Sequence, residues 1–478
     1  MKKKWQLWIG GKWREAKTYE PLYSPHTNEF LSDIGQAEPA DAIEAIVEAN
    51  AAFQKFRNYP AHARAKILAK VADILEERSL ECAEIMALEG AKSIRNAREE
   101  INRTVQTYRF AAEAAKSNYG EQIPMDAAEG GENRFGFTIR TPIGVVTAIT
   151  PFNFPFNLVA HKVGPAIAAG NAIVLKPAEQ TPISSLFLAE AFKEAGLPDG
   201  VLNIIPGKGD VLSEALTTHP YVKKVTFTGS VEVGHIIQQQ AGFRKLTLEL
   251  GSNSPFIIDE GVDIDQLIER SVMGAFSYNG QVCISIQRIY VHQSLYGEFL
   301  ERFVSRTKQL VIGSPLDEKT NITAVISKKS LDRLQSWINE AVQEGAKIEC
   351  GGTVEGNVLA PTVLTNVNRD SKVSRFEVFG PVVCIAPFDT LDNAIAEAND
   401  SRYGLNSGII TPSIERAFYA ATRLETGGVI VNDIPTYRID NMPYGGWKDS
   451  GVGREGVKYA MREMMEEKFI SLKFSDNN

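Results

Sequence analysis

The chain has 478 residues, and this length predicts two or three domains because one compact core does not grow to that size. Hydrophobic residues make up 44% and charged residues 23%, which is typical of a soluble globular protein. The net charge of −8 argues against a general binder of nucleic acids or anionic membranes. The longest apolar candidate, Gly164 to Leu175, is too short to span a membrane, and the apolar run after Lys4 is too short for an export signal.

The cysteines and histidines bear on compartment and metal binding. The four cysteines are widely spaced and form no CxxC pair, which favours a reducing cytosol over a disulfide scaffold; they are Cys82, Cys283, Cys350 and Cys384. The six histidines have no metal-ligand spacing. We therefore expect a cytoplasmic protein without a metal site.

The first third of the chain is mainly helical. Residues 5–13, with Gly10 and Gly11 between apolar stretches, predict a small hairpin. Apolar residues at helical spacing run from Pro39 to Gly90, and the pattern continues from Glu99 to Ser117. Residues 119–141 are rich in glycine and then alternate, which predicts an extended segment or hairpin.

From Gly144 onward, short apolar strands alternate with helices. The predicted strands are 145–149, 172–175, 201–205, 222–226 and 246–248, and the predicted helices are 157–169, 181–195, 211–218 and 230–241. This alternation indicates an α/β fold with a doubly wound parallel sheet, which binds ligands at the carboxyl ends of its strands.

A second α/β set follows Cys283. Its predicted strands are 289–291, 347–349, 382–385, 407–410 and 429–431, and its predicted helices are 295–310, 330–344, 391–399 and 414–424. The end of the chain, Phe469 to Phe474, alternates like a strand. We expect this strand to pair with an edge in a neighbouring subunit, with the extended segment 119–141 as the candidate edge.

The stretch Tyr278 to Ser285 contains a candidate nucleophile, Cys283. A cysteine reacts as its thiolate, which needs partial exposure and a positive local field. A turn beside a helix start would supply both, because backbone N–H groups cluster there. The alternative is a buried structural cysteine, the usual fate of a free thiol.

Two motifs at strand ends suit a nucleotide. Phe227 to Ser230 joins a strand to a helix, where Gly229 allows a tight turn and the helix start offers N–H donors to a phosphate. Lys176 and Glu179 follow another strand, and a carboxylate there can hold ribose hydroxyls. The alternatives are a plain turn and a surface ion pair.

Two further strand ends carry groups suited to catalysis. Asn153 lies in a loop restricted by two prolines and could donate to a developing oxyanion, or could merely cap the backbone. Glu249 precedes the glycine turn at Gly251 and could act as a general base, or could be an exposed turn residue. Because all four motifs follow predicted strands, together they favour an enzyme.

The motifs as a set resemble those of the aldehyde dehydrogenase superfamily, in family order and over nearly the whole chain. They are Trp8-Ile9-Gly10-Gly11-Lys12-Trp13, Pro151-Phe152-Asn153-Phe154-Pro155, Lys176-Pro177-Ala178-Glu179, Phe227-Thr228-Gly229-Ser230, Glu249-Leu250-Gly251, Gly280-Gln281-Val282-Cys283, Glu377-Val378-Phe379-Gly380-Pro381 and Pro443-Tyr444-Gly445-Gly446. The resemblance implies a Rossmann-like cofactor domain, a second α/β catalytic domain and a small β oligomerisation extension.

The resemblance also implies a catalytic set. Cys283 would attack the aldehyde, and the Asn153 side chain with the Cys283 N–H would hold the oxyanion. Glu249 would activate the water that releases the acid. Lys162 resembles the family lysine near this proton route, with a helix-surface lysine as the alternative.

For the cofactor, the resemblance implies NAD, with NADP possible. Lys176 and Glu179 match the pair that holds the adenosine ribose, Ser230 matches the pyrophosphate contact, and Glu377 with Phe379 matches the nicotinamide-ribose side. The same resemblance adds Ile149, Phe152, Gly209, Gly229, Val233 and Leu250. Because a carboxylate at Glu179 accepts from a free 2′-OH and repels a 2′-phosphate, we predict NAD over NADP. Phe152 stands where the family often has Trp.

For the substrate, the sequence is similar to the branch that oxidises lactaldehyde, glyceraldehyde 3-phosphate, sulfolactaldehyde and phosphonoacetaldehyde. Arg103 and Arg438 lie where relatives place substrate contacts, and Phe154, Val282 and Ile284 would shape the pocket. Arginine holds phosphate or sulfonate with paired donors. The alternative is that Arg438 braces its loop through Asp440 or a backbone carbonyl.

The resemblance divides the chain into a dinucleotide-binding domain (1–117 and 142–249), a catalytic domain (250–441), oligomerisation strands (118–141 and 464–478) and a return segment (442–463). We expect a homodimer or homotetramer that acts on a small aldehyde. Three alternatives stay open: a coenzyme A-acylating dehydrogenase, a non-catalytic member of the fold, and a Cys–His hydrolase, which the absence of histidine from every motif disfavours.

Overall fold

The computed structural model describes residues 2–475. Met1 and the last three residues of the predicted 464–478 segment lie outside that range. The helices are α1 (Pro39–Phe56), α2 (Ala61–Glu77), α3 (Ser79–Gly90), α4 (Ile94–Lys116), α5 (Asn157–Ala169), α6 (Pro182–Glu194), α7 (Gly209–Thr218), α8 (Val231–Ala241), α9 (Leu267–Phe276), α10 (Gln293–Thr307), α11 (Lys328–Gln343), α12 (Lys372–Arg375), α13 (Leu391–Asn399), α14 (Ile414–Ala421) and α15 (Val457–Glu463).

The strands make four larger sheets and two short pairs. They are β1 (Lys4–Trp5), β2 (Leu7–Ile9), β3 (Lys12–Arg14), β4 (Thr18–Tyr23), β5 (Phe30–Gln36), β6 (Gln122–Ile123), β7 (Arg134–Pro142), β8 (Val145–Ile149), β9 (Ala172–Lys176), β10 (Leu202–Ile204), β11 (Val222–Thr228), β12 (Lys245–Glu249), β13 (Pro255–Ile258), β14 (Arg288–His292), β15 (Lys347–Cys350), β16 (Val354–Glu355), β17 (Val358–Leu359), β18 (Thr362–Thr365), β19 (Val382–Phe388), β20 (Tyr403–Gly404), β21 (Asn406–Ile410), β22 (Gly428–Val431), β23 (Trp447–Lys448), β24 (Gly451–Val452) and β25 (Met465–Lys473).

The larger sheet has the order β24-β12-β11-β8-β9-β10-β2-β3. Strands β8 to β12 pair in parallel, whereas β2, β3 and β24 run antiparallel at the edges. The chain moves outward from β8 through β9 and β10, then returns to the other side of β8 with β11. This reversal opens a crevice beyond the carboxyl ends of β8 and β11, where doubly wound sheets bind ligands.

The second sheet has the order β15-β18-β19-β14-β13-β21-β22 and is parallel except at β15. The predicted α/β fold class is therefore confirmed. Helices cover both sheets, and buried apolar side chains fill the layers between them. The predicted hairpin near the start is also confirmed, because β2 and β3 pair across Gly10 and Gly11.

The terminal strand differs from the expectation. β25 pairs antiparallel with β7 along its whole length, from Met465 opposite Pro142 to Lys473 opposite Arg134. The partner segment was predicted, and β25 pairs with this segment of its own chain. Because β25 is an edge strand of the sheet β25-β7-β6, pairing of its other side with a neighbouring subunit stays a prediction. The sheet β25-β7-β6 exposes apolar side chains, among them Phe135, Phe469 and Leu472.

No helix in the described part of the chain is long and apolar enough to cross a membrane.

Candidate active site

Cys283 lies in a loop between a 3-10 turn, Ser277–Gly280, and strand β14. Three successive left-handed residues turn the chain here: Tyr278, Asn279 and Gly280 have φ of 47°, 55° and 67°. A Cβ on Gly280 would lie 2.2 Å from the carbonyl oxygen of Gly380, so glycine is needed for this close approach. The loop leads into strand β14 and not into a helix. The helix start that was expected beside the thiol therefore does not follow Cys283.

Two cavities meet at Cys283. One, of about 710 Å³, opens toward the crevice of the first sheet, and the other, of about 220 Å³, lies between α4, α5 and α9. We call them the cofactor cavity and the substrate cavity. Cys283 lines both, so one residue borders two binding spaces. Burial raises the pKa of this thiol to about 11.

Asn153 reaches the thiol loop from the loop after β8. Its Nδ2 donates to the carbonyl oxygen of Gln281 over 2.9 Å, which leaves a second amide N–H for another acceptor. Its Oδ1 is buried without a hydrogen-bond partner among residues 2–475. The alternative of a backbone-capping asparagine does not describe this contact, because the amide joins two loops that are 128 residues apart.

Lys92 holds the Asn153 loop in place through a hydrogen bond to its backbone. Its buried Nζ donates to the carbonyl oxygen of Asn153 over 2.6 Å and pairs with the buried carboxylate of Glu100. The same carboxylate accepts from the N–H groups of Phe156 and Asn157 at the start of α5, at 2.9 and 3.1 Å. The Asn153 loop is therefore held by a buried ion pair that the sequence analysis did not identify.

Glu249 ends β12 and is 2% exposed, so the alternative of an exposed turn residue is wrong. Neither of its carboxylate oxygens has a hydrogen-bond partner within the described residues. Burial, followed by the charge of Glu455, raises the pKa of Glu249 well above its usual value. A buried carboxyl without a partner and with a raised pKa is suited to accept a proton from water.

Lys162 is fully buried, so the alternative of a helix-surface lysine is also wrong. Its Nζ donates to Glu455 over 2.6 Å and to the Thr228 hydroxyl over 2.7 Å. The other oxygen of Glu455 accepts from Arg438 over 3.1 Å. Although burial opposes it, the charges of Lys162 and Arg438 lower the pKa of Glu455.

The five predicted substrate residues all line the substrate cavity: Arg103, Phe154, Val282, Ile284 and Arg438. The two arginines are paired differently from the expectation. Arg103 donates to Asp440 through two nitrogens, at 2.7 and 3.3 Å, whereas Arg438 pairs with Glu455. The alternative that Arg438 braces the loop through Asp440 is therefore wrong.

The cofactor cavity contains part of the predicted cofactor set. Its lining includes Phe152, Gly229, Ser230, Leu250, Glu377 and Phe379. A Cβ on Gly229 would lie 2.4 Å from the Phe227 ring, so a side chain here would close the approach to the start of α8. The Ser230 hydroxyl accepts from the N–H of Val233 as the helix cap. A helix start of this kind suits a pyrophosphate.

Glu377 also lines the cofactor cavity. Its carboxylate accepts from the N–H of Ser252 over 3.0 Å, and burial raises its pKa to about 7. The rings of Phe152 and Phe379 meet edge to face beside it, with centroids 5.7 Å apart. A ribose acceptor and an apolar ring surface next to a thiol fit a nicotinamide nucleotide.

Five other predicted cofactor residues lie outside the lining of this cavity: Ile149, Lys176, Glu179, Gly209 and Val233. Three of them lie together, since the Glu179 carboxylate accepts from the Gly209 N–H over 3.2 Å and a Cβ on Gly209 would lie 3.9 Å from Lys176. Ile149 is at the end of β8, and Val233 is 42% exposed on α8.

Two groups of the site, Tyr444 at the thiol and Glu455 between Lys162 and Arg438, were missed by sequence reasoning. The Tyr444 hydroxyl lies 3.0 Å from Cys283 Sγ, although the residue was noted only as part of a motif. Glu455 carried no sequence signal. Within residues 2–475, no group of three or more His, Cys, Asp or Glu side chains could hold a metal ion, and no histidine lines either cavity.

Comparisons with known proteins agree with this geometry. The model of the aldehyde dehydrogenase family matches residues 13–470. The chain is 46% identical to 3-sulfolactaldehyde dehydrogenase of Priestia aryabhattai, over 98% of both chains, and 40% identical to lactaldehyde dehydrogenase of Methanococcus aeolicus, over 97% of this chain and 99% of the other. The crystal structure of aldehyde dehydrogenase 21 from Physcomitrella patens, in complex with the reaction product succinate, superposes with a TM-score of 0.97 at 39% identity over 99% of both chains. The chain therefore belongs to the aldehyde dehydrogenase family and is an NAD(P)-dependent aldehyde dehydrogenase.

Proposed function

We propose that the chain oxidises a short, polar aldehyde to its carboxylic acid through a thioester on Cys283. The observation that carries the proposal is that Cys283 lines both the cofactor cavity and the substrate cavity. The thiolate adds to the aldehyde carbon, and the second N–H of the Asn153 amide with the Cys283 N–H stabilises the oxyanion. Glu377, Phe152 and Phe379 would hold a nicotinamide nucleotide in the cofactor cavity, and this nucleotide would supply the hydride acceptor for the oxidation, so that the acyl group stays on sulfur.

Glu249 then removes a proton from the water that hydrolyses the thioester. Burial is the main cause of the raised pKa of the Cys283 thiol, and the charge of Glu249 contributes to it, which supports a position of Glu249 near the sulfur. The buried Lys162–Glu455 pair is the next proton carrier in line, because Glu455 is the residue whose charge acts most strongly on Glu249. The presence of Glu249 favours water over coenzyme A as the acyl acceptor.

The substrate we propose carries a hydroxyl or an anionic group near the aldehyde. The names of the sulfolactaldehyde and lactaldehyde dehydrogenases support this class. The cavity supports it too: the Arg438 Nε and the Thr436 hydroxyl are buried without a partner in the described part of the chain, and both residues line the substrate cavity. A buried donor without a partner favours a ligand oxygen.

The charge balance of this region also favours an anion. Arg103 is matched by Asp440, and Lys92 by Glu100. Lys162 and Arg438 share a single ion-pair partner, Glu455. Two cations on one carboxylate favour an anionic substrate group as a further partner for Arg438, whose Nε has no partner within the described residues.

NAD is the cofactor we propose, because the exposed Glu179 carboxylate lies with Lys176 and Gly209 at the strand ends where an adenosine ribose is expected. We also propose that the chain divides into domains at the boundaries given from the sequence. A homodimer or homotetramer in the cytoplasm is supported by the apolar face of the sheet β25-β7-β6 and by four free cysteines.

A panel of short aldehydes tests the proposal, with NADH absorbance and acid formation measured without coenzyme A. We expect kcat/KM for sulfonated and hydroxylated three-carbon aldehydes to exceed that for propanal by at least about tenfold, the effect of one buried polar contact. A preference for propanal, or acid formation that requires coenzyme A, would contradict the proposal.

A further inference from the structure

The Tyr444 hydroxyl is placed to act on the reacting sulfur. It lies 3.0 Å from Cys283 Sγ, and Tyr444 is 3% exposed. Both residues line the substrate cavity, where Ile284 and Leu405 pack around the tyrosine. This contact is an addition to the groups that stabilise the oxyanion, because it reaches the sulfur and not the aldehyde oxygen.

The direction of this hydrogen bond follows from the two groups. A tyrosine phenol is a weak acid, and burial raises the pKa of Tyr444 further above its usual value, which favours the hydroxyl as a hydrogen-bond donor. A thiolate has no proton to donate. Once Cys283 is ionised, the hydroxyl must be the donor and the sulfur the acceptor.

The ring of Tyr444 is itself held against a cation. The guanidinium carbon of Arg438 lies 3.6 Å from the ring centroid, and Arg438 is fixed by its 3.1 Å ion pair with Glu455. A cation on the ring face draws electron density from the phenol and makes its hydroxyl a stronger donor. Arg438 also places a positive charge near the sulfur, opposed by Glu377 and Glu249.

We propose that Tyr444 is a catalytic residue that stabilises the Cys283 thiolate by donating a hydrogen bond from its hydroxyl to Sγ, and that Arg438 and Glu455 are positioning residues for the phenol. The inference rests on the proposed role of Cys283 as nucleophile. The thiol loop precedes a strand, so it has no helix start to stabilise the thiolate. The hydroxyl of Tyr444 supplies a stabilising hydrogen bond.

The test measures how the rate of Cys283 alkylation by iodoacetamide depends on pH in the cofactor-free protein. The alkylated peptide that contains Cys283 is quantified by mass spectrometry, so that alkylation of Cys350 does not contribute. Tyr444→Phe removes the hydroxyl and keeps the ring. We expect the inflection of the curve of alkylation rate against pH to move up by about one pH unit. The alkylation rate at pH 8 should fall about tenfold, which is the effect of one hydrogen bond to a charged acceptor. The rate at high pH should stay equal or rise, because a less stabilised thiolate is more nucleophilic.

Tyr290→Phe is the matched control, since it removes a buried hydroxyl that is bonded to Arg288, away from both cavities. It should leave the inflection unchanged. Arg438→Lys is a second variant, and it should move the inflection in the same direction by a smaller amount. An unchanged inflection in Tyr444→Phe, or a lower rate at all pH values without a shift, would overturn the inference.

The proposed function is separated from this inference by Cys283→Ser. If the serine variant still oxidises aldehydes, the role of Cys283 fails. If it is inactive and Tyr444→Phe leaves the inflection unchanged, the role of Tyr444 fails and that of Cys283 stands.

Discussion

The side-chain amide of Asn153 donates to the backbone carbonyl of Gln281, two residues before the thiol, over 2.9 Å. This hydrogen bond joins the loop after β8 of the first sheet to the thiol loop that leads into β14 of the second. This contact fixes the position of the Asn153 amide relative to the loop that contains Cys283. The geometry of the proposed oxyanion site therefore depends on a contact between the two sheets.

Asn153→Asp keeps the shape of this side chain but removes the N–H donors. We expect kcat to fall by about 100- to 1,000-fold, the usual loss for one oxyanion donor. Cofactor affinity, measured by fluorescence titration, should change little. A loss in kcat of less than about fivefold, the effect of an ordinary surface change, would argue that Asn153 does not contact the transition state.

The raised pKa of Glu249 predicts a pH dependence. The carboxyl must be ionised to accept a proton, so hydrolysis of the thioester should speed up as pH rises, with its inflection well above 4.5, the usual value for a glutamate. Glu249→Gln should remove this rise of the hydrolysis rate with pH and slow steady-state turnover by about 100-fold or more. Stopped-flow NADH formation over a range of pH values measures both effects. An inflection near the usual value in the wild type would contradict this prediction.

Glu179 is expected to set the nucleotide preference. Glu179→Gln removes the charge that repels a 2′-phosphate, while the amide still offers an acceptor to a free 2′-OH. We expect the ratio of kcat/KM for NAD to that for NADP to fall by about tenfold, the effect of one charged contact. The measurement is steady-state kinetics with both nucleotides at one aldehyde concentration. An unchanged ratio would place the discrimination elsewhere.

Thr436 and Arg438 are expected to select the substrate. Thr436→Val replaces a buried hydroxyl with a methyl group of similar size, and Arg438→Lys keeps the charge but loses the planar donors. Each should lower kcat/KM for 3-sulfolactaldehyde about tenfold more than for propanal. The comparison between the two aldehydes cancels any common effect of Arg438 on the thiol. Equal losses for both aldehydes would exclude a role in selection.

The Lys92–Glu100 pair predicts a large effect on stability. Both side chains are almost fully buried, at 1% and 0% exposure, so Lys92→Met leaves an uncompensated carboxylate at the start of α5. We expect the free energy of unfolding to fall by about 3–5 kcal/mol, measured by urea denaturation. Lys328→Met, which breaks an exposed pair with Asp332, is the control and should cost less than about 1 kcal/mol. Similar losses in both variants would contradict the prediction.

Sequence reasoning found the groups that follow strands of the first sheet. The loops at Asn153, Lys176, Gly229 and Glu249 all come directly after β8, β9, β11 and β12, because strand–helix alternation is a strong local signal. The second sheet was predicted less completely. Two elements before the thiol loop were missed, β13 (Pro255–Ile258) and α9 (Leu267–Phe276). The strand was missed because four buried residues have little periodicity to detect.

The pairing of charged side chains could not be predicted from local pattern. The alternative to a substrate role for Arg438 was a contact with Asp440 or a backbone carbonyl, but Arg438 pairs with Glu455, and Asp440 pairs with Arg103 from α4. Such partners are chosen by tertiary packing, as is the burial of Lys162 within a helix that has no exposed face. The approach of Tyr444 to the sulfur belongs to the same class, because 161 residues separate the two groups.

The most direct test of the central claim is to trap the acyl group. Glu249→Gln, mixed with substrate aldehyde and excess NAD and quenched in acid, is digested and analysed by mass spectrometry. The account predicts one equivalent of NADH in a rapid burst and an acyl mass on the peptide that contains Cys283. A burst with the acyl group on another residue, or oxidation without any acyl adduct, would contradict it.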